Sequence, residues 1–399
     1  MSKKRIMIAL LVLMFVSNIA LGISPSVAKI GLAFPEVSRS TLQMILSLAA
    51  FSSFGASLVV GKMQQYVSQK TVILSGAVLL SLGVLPLVIS TSFPFLLAVS
   101  VIIGLGSGAM TATAPALIST YFTGDERSSM LGKNTSLKYI GSMIMTSLGG
   151  TLAVYGWQFN YAIFLFAIIG LAIGIVLLPN DRKNKKEEAE ETTKETQEQT
   201  ENENQLKLTS PSVLIVIALG VTITLMSAAT QNNLAIHAQE LKIGDTSIAG
   251  LALACQSLGS IVAGFFITSV SKILKRHTLF VGYISMAIGH GIIATVHVPI
   301  ALFIGCFFVG LSVGSVMTRI LYLMTSVVRP SAIPVTASIF SAATSLGFAL
   351  SPLLFNPIAG MISSSLATTS FFIATCMAVC LAALLGITQF ERRLLKKIN

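Results

Sequence analysis

Carboxylates are nearly missing from this chain once one tract is set aside. Of fifteen aspartates and glutamates, only Glu36, Asp125, Glu126, Glu240, Asp245 and Glu391 lie outside residues 181–207. Charged residues of both signs make up 10% of the sequence, against about 25% in soluble domains. With 54% hydrophobic residues and a mean hydropathy of +0.84, that scarcity excludes an ordinary soluble fold and places the chain in a bilayer. The four cysteines, Cys255, Cys306, Cys376 and Cys380, all sit in apolar runs, without the polar loops or second ligand pairs that a disulfide framework or zinc site needs. His237, His277, His290 and His297 are scattered, and no nucleotide-binding glycine loop precedes a lysine. No catalytic residue, metal or cofactor is therefore expected. The net charge of +11 comes from bases clustered in short loops, where they set membrane orientation rather than bind nucleic acid.

What is present is a run of apolar stretches interrupted once. Residues 181–207 read DRKNKKEEAEETTKETQEQTENENQLK. So polar a tract cannot bury enough surface to offset its ordering entropy, and it reads as a disordered linker. A helix needs about 20 apolar residues to cross the hydrocarbon core. On that measure six crossings precede the linker, at about 6–27, 40–62, 71–90, 94–121, 130–155 and 157–178. Six more follow, at about 211–236, 246–270, 278–296, 299–327, 332–358 and 369–390. The first apolar run is too long for a signal-peptide core and reads as a retained helix.

Charge placement tests the count of twelve. With it, Lys3, Lys4, Arg5, Lys62, Lys70, Arg127, Lys133, the linker, Lys272, Lys275, Arg276, Arg329 and the basic C-terminal tail share one side, and the other receives only Lys29, Arg39 and Lys242. Basic loops face the cytoplasm, so both termini and the linker are expected there, in a cell-membrane protein. The expected divisions are an N-terminal bundle over 1–180, a linker over 181–208 and a C-terminal bundle over 209–399. A faint repeat relates the halves: Gly104, Gly108, Gly132 and Gly141 recur 206 positions later as Gly310, Gly314, Ser338 and Gly347, small residues of the kind that let helices approach in lipid.

The loop after the second crossing, GKMQQYVSQK from Gly61, and the fourth crossing with its loop, VSVIIGLGSGAMTATAPALISTYFTGDERSSMLG, carry a family likeness. Together with the twelve-crossing architecture, the chain resembles the major facilitator superfamily, in which two six-helix bundles rock about a central site. The likeness implies an all-α integral membrane fold with pseudo-twofold halves. It also implies gating roles for Gly61, Gln65, Lys70 and the Asp125, Glu126, Arg127 turn. Gln65 stands where the family usually has an aspartate, Ser68 where it has a second glycine, Gln69 where it has a basic residue, and Ser100 where many members have an arginine. The resemblance makes crossings 1, 4, 7 and 10 central.

Ionisable groups at hydrocarbon depth are costly, and each is a site candidate. Lys138 in the fifth crossing and Arg319 in the tenth are such groups, both a little to the linker side of centre, and no acid falls within any crossing. Two cations without a counter-charge attract an anionic solute; the competing reading has Lys138 snorkel to the headgroups and Arg319 cap helix ends or pair with the Asp125, Glu126 rim. Asn18, Asn134 and Gln256 complete the expected solute-binding set, while Gln231, Asn232 and Asn233 crowd an outer gate. His290 reads as a packed core histidine, so exchange, or coupling through the solute's own proton, is favoured over a carboxylate relay. Pro352 and Pro357 are expected to kink or end the eleventh helix. The expected function is a monomeric secondary or facilitative transporter of a small organic solute, preferably anionic, working by alternating access and partnered only by solute and lipid. A proton-coupled exporter of neutral or cationic drugs is the alternative, and a polytopic sensor the third reading.

Overall fold

The computed structural model describes residues 3–63, 66–89, 92–122, 124–179, 211–274, 277–327 and 333–393. They form twelve membrane-spanning helices in chain order: α1 Lys4–Ala33, α2 Arg39–Met63, α3 Gln69–Val88, α4 Phe93–Tyr121, α5 Gly124–Ala153, α6 Trp157–Leu177, α7 Pro211–Glu240, α8 Thr246–Leu274, α9 Thr278–Thr295, α10 Pro299–Val327, α11 Ile333–Ile362 and α12 Leu366–Thr388. Eleven contain a stretch apolar enough to cross on composition alone. The remaining one, α5, carries Asp125, Glu126, Arg127, Lys133 and Lys138 within 30 residues. At 1.5 Å per residue it is roughly 45 Å long, longer than a hydrocarbon core of about 30 Å, so its charged first turns can lie among headgroups. The linker tract falls outside the described residues.

Each half has its own apolar core. In the first it is built from Leu10, Leu13, Ile45, Ile103, Met145 and Phe164; in the second from Ile223, Met226, Tyr283, Val309 and Val316. Burial of apolar side chains cannot drive association in lipid as it does in water, so close backbone approach at small residues does that work instead. A Cβ on Gly141 of α5 would overlap the Phe15 carbonyl of α1, and one on Gly347 of α11 would meet the Val221 carbonyl of α7 at 2.7 Å. Both members of the second pair lie 206 positions after the first. Gly108 of α4 likewise seats on Ser53 of α2, and Gly314 of α10 on Ser260 of α8. The repeat read from the sequence is thus a repeat of helix crossings. Gly132 and Ser338 lie on described backbone, but their side-chain surroundings do not.

One helix departs from the sequence expectation and another extends beyond it. The first crossing is not one continuous α-helix: it ends at Val16, runs as a 3-10 segment over Ile19–Ser26, and resumes as α-helix over Val27–Ala33. Pro25 lies inside that segment; it lacks the N–H that an α-helix would spend on the carbonyl four residues back. The eleventh helix, in contrast, continues past Pro352 and Pro357 to Ile362, so neither proline ends it.

The halves meet from mid-membrane toward the side opposite the linker, called the far side below. Ala235, Ile236 and Ala249 of the second half join the first half's core there. Gly150 of α5 packs on Gly250 of α8, where a Cβ would lie 2.9 Å from the partner Cα.

Replacing Gly310 by valine places a side chain against the Gln256 backbone. Overpacking of this kind costs about 1–3 kcal/mol. The expected outcome is a lower melting temperature and loss of monodisperse protein in detergent chromatography, whereas Gly264→Val, with open space at its Cβ, leaves both unchanged.

Candidate functional site

The break in α1 puts polar groups at mid-membrane. Asn18 stands at its start with φ −105° and ψ 19°. Its backbone carbonyl accepts from the Leu21 N–H, while its half-buried side-chain amide has no hydrogen-bond partner among the described residues. Ser17 turns its carbonyl to the Ser107 hydroxyl of α4 at 2.7 Å. A broken helix at this depth is tolerated where protein or a watery cavity receives the freed groups.

Lys138 lies on the face of α5 that turns to α1 and, at its edge, to α8 across the seam. Along that face Gly141 meets α1 at Phe15, Met145 meets α1 at Gly22, and Ser142 meets α8 through the Ser257 hydroxyl at 3.4 Å. Residues three, four and seven apart share a helix face, so Lys138 belongs to this stripe. It is one turn, roughly 6 Å, to the linker side of the Ser142–Ser257 contact. It is half-buried, and among the described residues nothing accepts a hydrogen bond from its ammonium or pairs with its charge. Asn134, one turn further toward the linker side, is buried with its Oδ1 unpartnered.

The other expected members are tied elsewhere. The Arg319 guanidinium donates from Nε to Glu391 Oε1 at 2.5 Å and lies 5.1 Å from the Tyr322 ring centroid. The second Glu391 oxygen accepts from the Leu279 N–H at 3.2 Å, at the start of α9, where a helix N-terminus favours negative charge. Arg319 and Glu391 are both buried, so the expectation of two uncompensated cations does not hold. A carboxylate just past the end of α12 folds back to neutralise one of them. Gln256 is also engaged: its Oε1 accepts from Gln231 at 3.2 Å and its Nε2 donates to Ser227 at 2.9 Å, bonds that join α8 to α7 within the second half.

The far side is closed by carboxamides. Gln43 of α2 donates to Asn233 Oδ1 of α7 at 2.6 Å and accepts from Asn356 Nδ2 of α11 at 2.8 Å. Asn356 also donates to Ser40 at 3.1 Å, Ser24 of α1 donates to the Gln231 carbonyl, and Arg39 pairs with Glu240. Side-chain hydrogen bonds in a membrane are worth about 0.6 kcal/mol each. This set therefore sums to a few kcal/mol, enough to hold a closed state and little enough to be reversed. Two of the helix 7 trio, Gln231 and Asn233, thus take part in the far-side closure, while the Asn232 amide is buried with neither polar atom partnered. Asn356 and Ser40, from helices remote in sequence, carried no sequence signal of this role.

The linker-side residues take mixed places. Gly61 lies within α2, and Gln65 is outside the described residues. Lys70 donates to the Leu178 carbonyl at 2.5 Å, closing the end of α6 inside its own half, where a cation suits the carbonyl end of a helix. Ser68 caps α3, accepting from the Thr71 N–H at 3.2 Å, and Gln69 accepts from the Thr120 hydroxyl at 3.1 Å. The residues that replace the family's glycine and base therefore stitch the first half together. Asp125, Glu126 and Arg127 open α5, with Glu126 exposed. His290 is fully buried and bonded through Nε2 to the Thr230 hydroxyl at 3.0 Å. It joins α9 to α7 within the second half.

Known proteins agree with this architecture. The xylose transporter from E. coli, solved in an inward-open conformation, superposes with a TM-score of 0.72 over 96% of both chains at 17% identity. A peptide transporter in complex with sulfate does so with a TM-score of 0.72 over 97% of this chain and 95% of that one, at 13% identity. At such identities the likeness concerns the fold. A hexuronate transporter from Bacillus subtilis is 30% identical over 122 residues, a stretch that spans 30% of this chain and only 25% of that relative. Residues 6–231, more than half of the sequence, match the family model described as Major Facilitator Superfamily, and the chain belongs to that superfamily of membrane transporters.

Proposed function

We propose that this transporter carries a small organic anion across the cytoplasmic membrane, as a monomer with its termini and linker in the cytoplasm, and that Lys138 receives the anionic group. One observation carries the reading: Lys138 is the cation on the seam-facing stripe of α5 that no described residue compensates. An unpaired ammonium away from water is costly, and a carboxylate on the solute offsets that cost while bound. Arg319, matched by Glu391, serves stability in this reading. Asn18, one turn to the far side of the α1 contact with Gly141, and Asn134, one turn to the linker side of Lys138, supply neutral hydrogen bonds at either end of the site. The short match to a hexuronate transporter supports a solute that joins a carboxylate to hydroxyl groups.

Uptake of radiolabelled glucuronate into proteoliposomes tests this. Lys138→Gln is expected to lower uptake at least tenfold, about 1.4 kcal/mol of lost solute binding, with Lys138→Arg retaining most of it. Movement of lipophilic cations, with no anion moving, would instead select the drug-exporter reading.

The Arg319 pair gives a contrasting outcome. Arg319→Met leaves the Glu391 carboxylate buried and unpaired, which costs about 3–5 kcal/mol. The melting temperature should fall, and the double substitution Arg319→Met with Glu391→Leu should recover it, while the KM of folded protein stays near wild type.

A further inference from the structure

We infer that the lipid-facing cleft between α5 and α8 seats one acyl chain of a phospholipid from the far-side leaflet, and that the seated chain favours the conformation in which the far side is closed. The inference does not rest on which solute moves.

The cleft arises beside the crossing that joins the halves. Gly150 and Gly250 bring the two backbones into contact, a Cβ on either lying 2.9 Å from the other's Cα. Toward mid-membrane the helices meet again at Ser142 and Ser257, whose hydroxyl oxygens are 3.4 Å apart. Gly141 and Met145 turn to α1, so Met143 and Ser147, about half a turn round the helix, face away from it. On that face Ser147, Ala254 and Cys255 are small, and a space of about 420 Å³ is left between the walls. Leu148 and Leu258 stand at its edges, 37% and 42% exposed, and Phe303 of α10 completes the lining.

What fills this space follows from its lining and its depth. The lining is apolar apart from the Cys255 thiol and the Ser147 hydroxyl, and that hydroxyl is spent on the Met143 carbonyl at 3.0 Å. Such a surface holds neither water nor a polar solute, because an apolar cavity stays dry. Residues 143–148 and 251–258 lie roughly 8–18 Å along their helices from the far-side ends, Ala153 and Thr246. That is the depth of acyl chains in a leaflet whose hydrocarbon is about 15 Å thick. Hydrocarbon is therefore the solvent at the mouth of the cleft. A chain that enters exchanges one apolar medium for another and gains nothing from leaving water; it gains the dispersion contacts that the two walls otherwise forfeit. The bilayer supplies chains in such excess that weak contacts suffice to fill the site.

The walls belong to different halves, so the seat exists only while they stand together. Ser147 and Leu148 move with the first half, and Ala254, Cys255, Leu258 and Phe303 with the second. Opening the far side draws Gly150 away from Gly250, parts the walls and strips contacts from one side of the chain. A ligand that binds one state better shifts the population toward it. The chain therefore works from the lipid side in the same sense as the carboxamides of Gln43, Asn233 and Asn356 work within the seam.

A phosphatidylcholine with a diazirine midway along one acyl chain tests the seat in nanodiscs. Photolysis should attach it to the peptides that contain residues 143–148 and 251–258. Ala254→Phe fills the cleft with the protein's own ring and should abolish those adducts, as should Ser147→Leu, which fills it from the other wall. Spin labels at Leu32→Cys and Met361→Cys, both highly exposed on opposite halves, read the coupling once the four native cysteines are replaced by alanine. In lipids with methyl-branched chains, too wide for the cleft, the ratio of short to long far-side distances should fall roughly fivefold relative to straight-chain lipids. In the filled variants it should not change. Adducts spread evenly over lipid-facing peptides, adducts that survive both filling substitutions, a wild-type distance ratio equal in the two lipids, or a filled variant that still responds to chain branching would each overturn the proposal.

Discussion

A polar group in hydrocarbon must find its partner inside the protein, because no water is available to take it. That constraint organises this molecule more than any single apolar contact. It explains why Glu391, beyond the last helix, is drawn back to Arg319 and the first turn of α9. It explains why Lys70 spends its charge on the Leu178 carbonyl. It also sets apart the exception, Lys138, which no described residue matches.

Helix association rests on the same scarcity of driving force. Gly141 on Phe15 and Gly347 on Val221 are equivalent crossings in the two halves, and each half is rigid because backbones touch there. Between the halves polar bonds accompany one such crossing, Gly150 on Gly250. Gln43, Asn233 and Asn356 form a short carboxamide set, and Arg39 with Glu240 adds one ion pair at the surface. A rocking carrier requires bodies that need not deform, joined by contacts that can part, and polar bonds of this strength are weak enough to break.

The two membrane cations had looked equivalent, and the fold treats them differently. Lys138 stays on the seam with Asn18 and Asn134 within about two turns of it, while Arg319 turns into its own bundle. Gln256 follows Arg319, engaged with Gln231 and Ser227. Glu240, by contrast, carried no expected role and meets both Arg39 and the Ser365 hydroxyl. The set of candidate site residues is therefore narrower than composition suggested, and the far-side closure richer.

Twelve crossings, the internal repeat and the family likeness were all legible in the sequence, because apolar length, loop charge and small-residue spacing are local properties that lipid enforces wherever they occur. The break in α1, where Pro25 lies, was not expected from the sequence, whereas the crowding of Gln231, Asn232 and Asn233 at one helix end pointed to an outer gate. Which acid answers Arg319, which face Lys138 presents, and the joining of Glu240 to His237 through Ser365 and Thr368 were decided only by tertiary structure. Those pairings span 72 and 125–131 positions of chain. Sequence spacing carries no trace of them, since they depend on how separate helices rotate and approach.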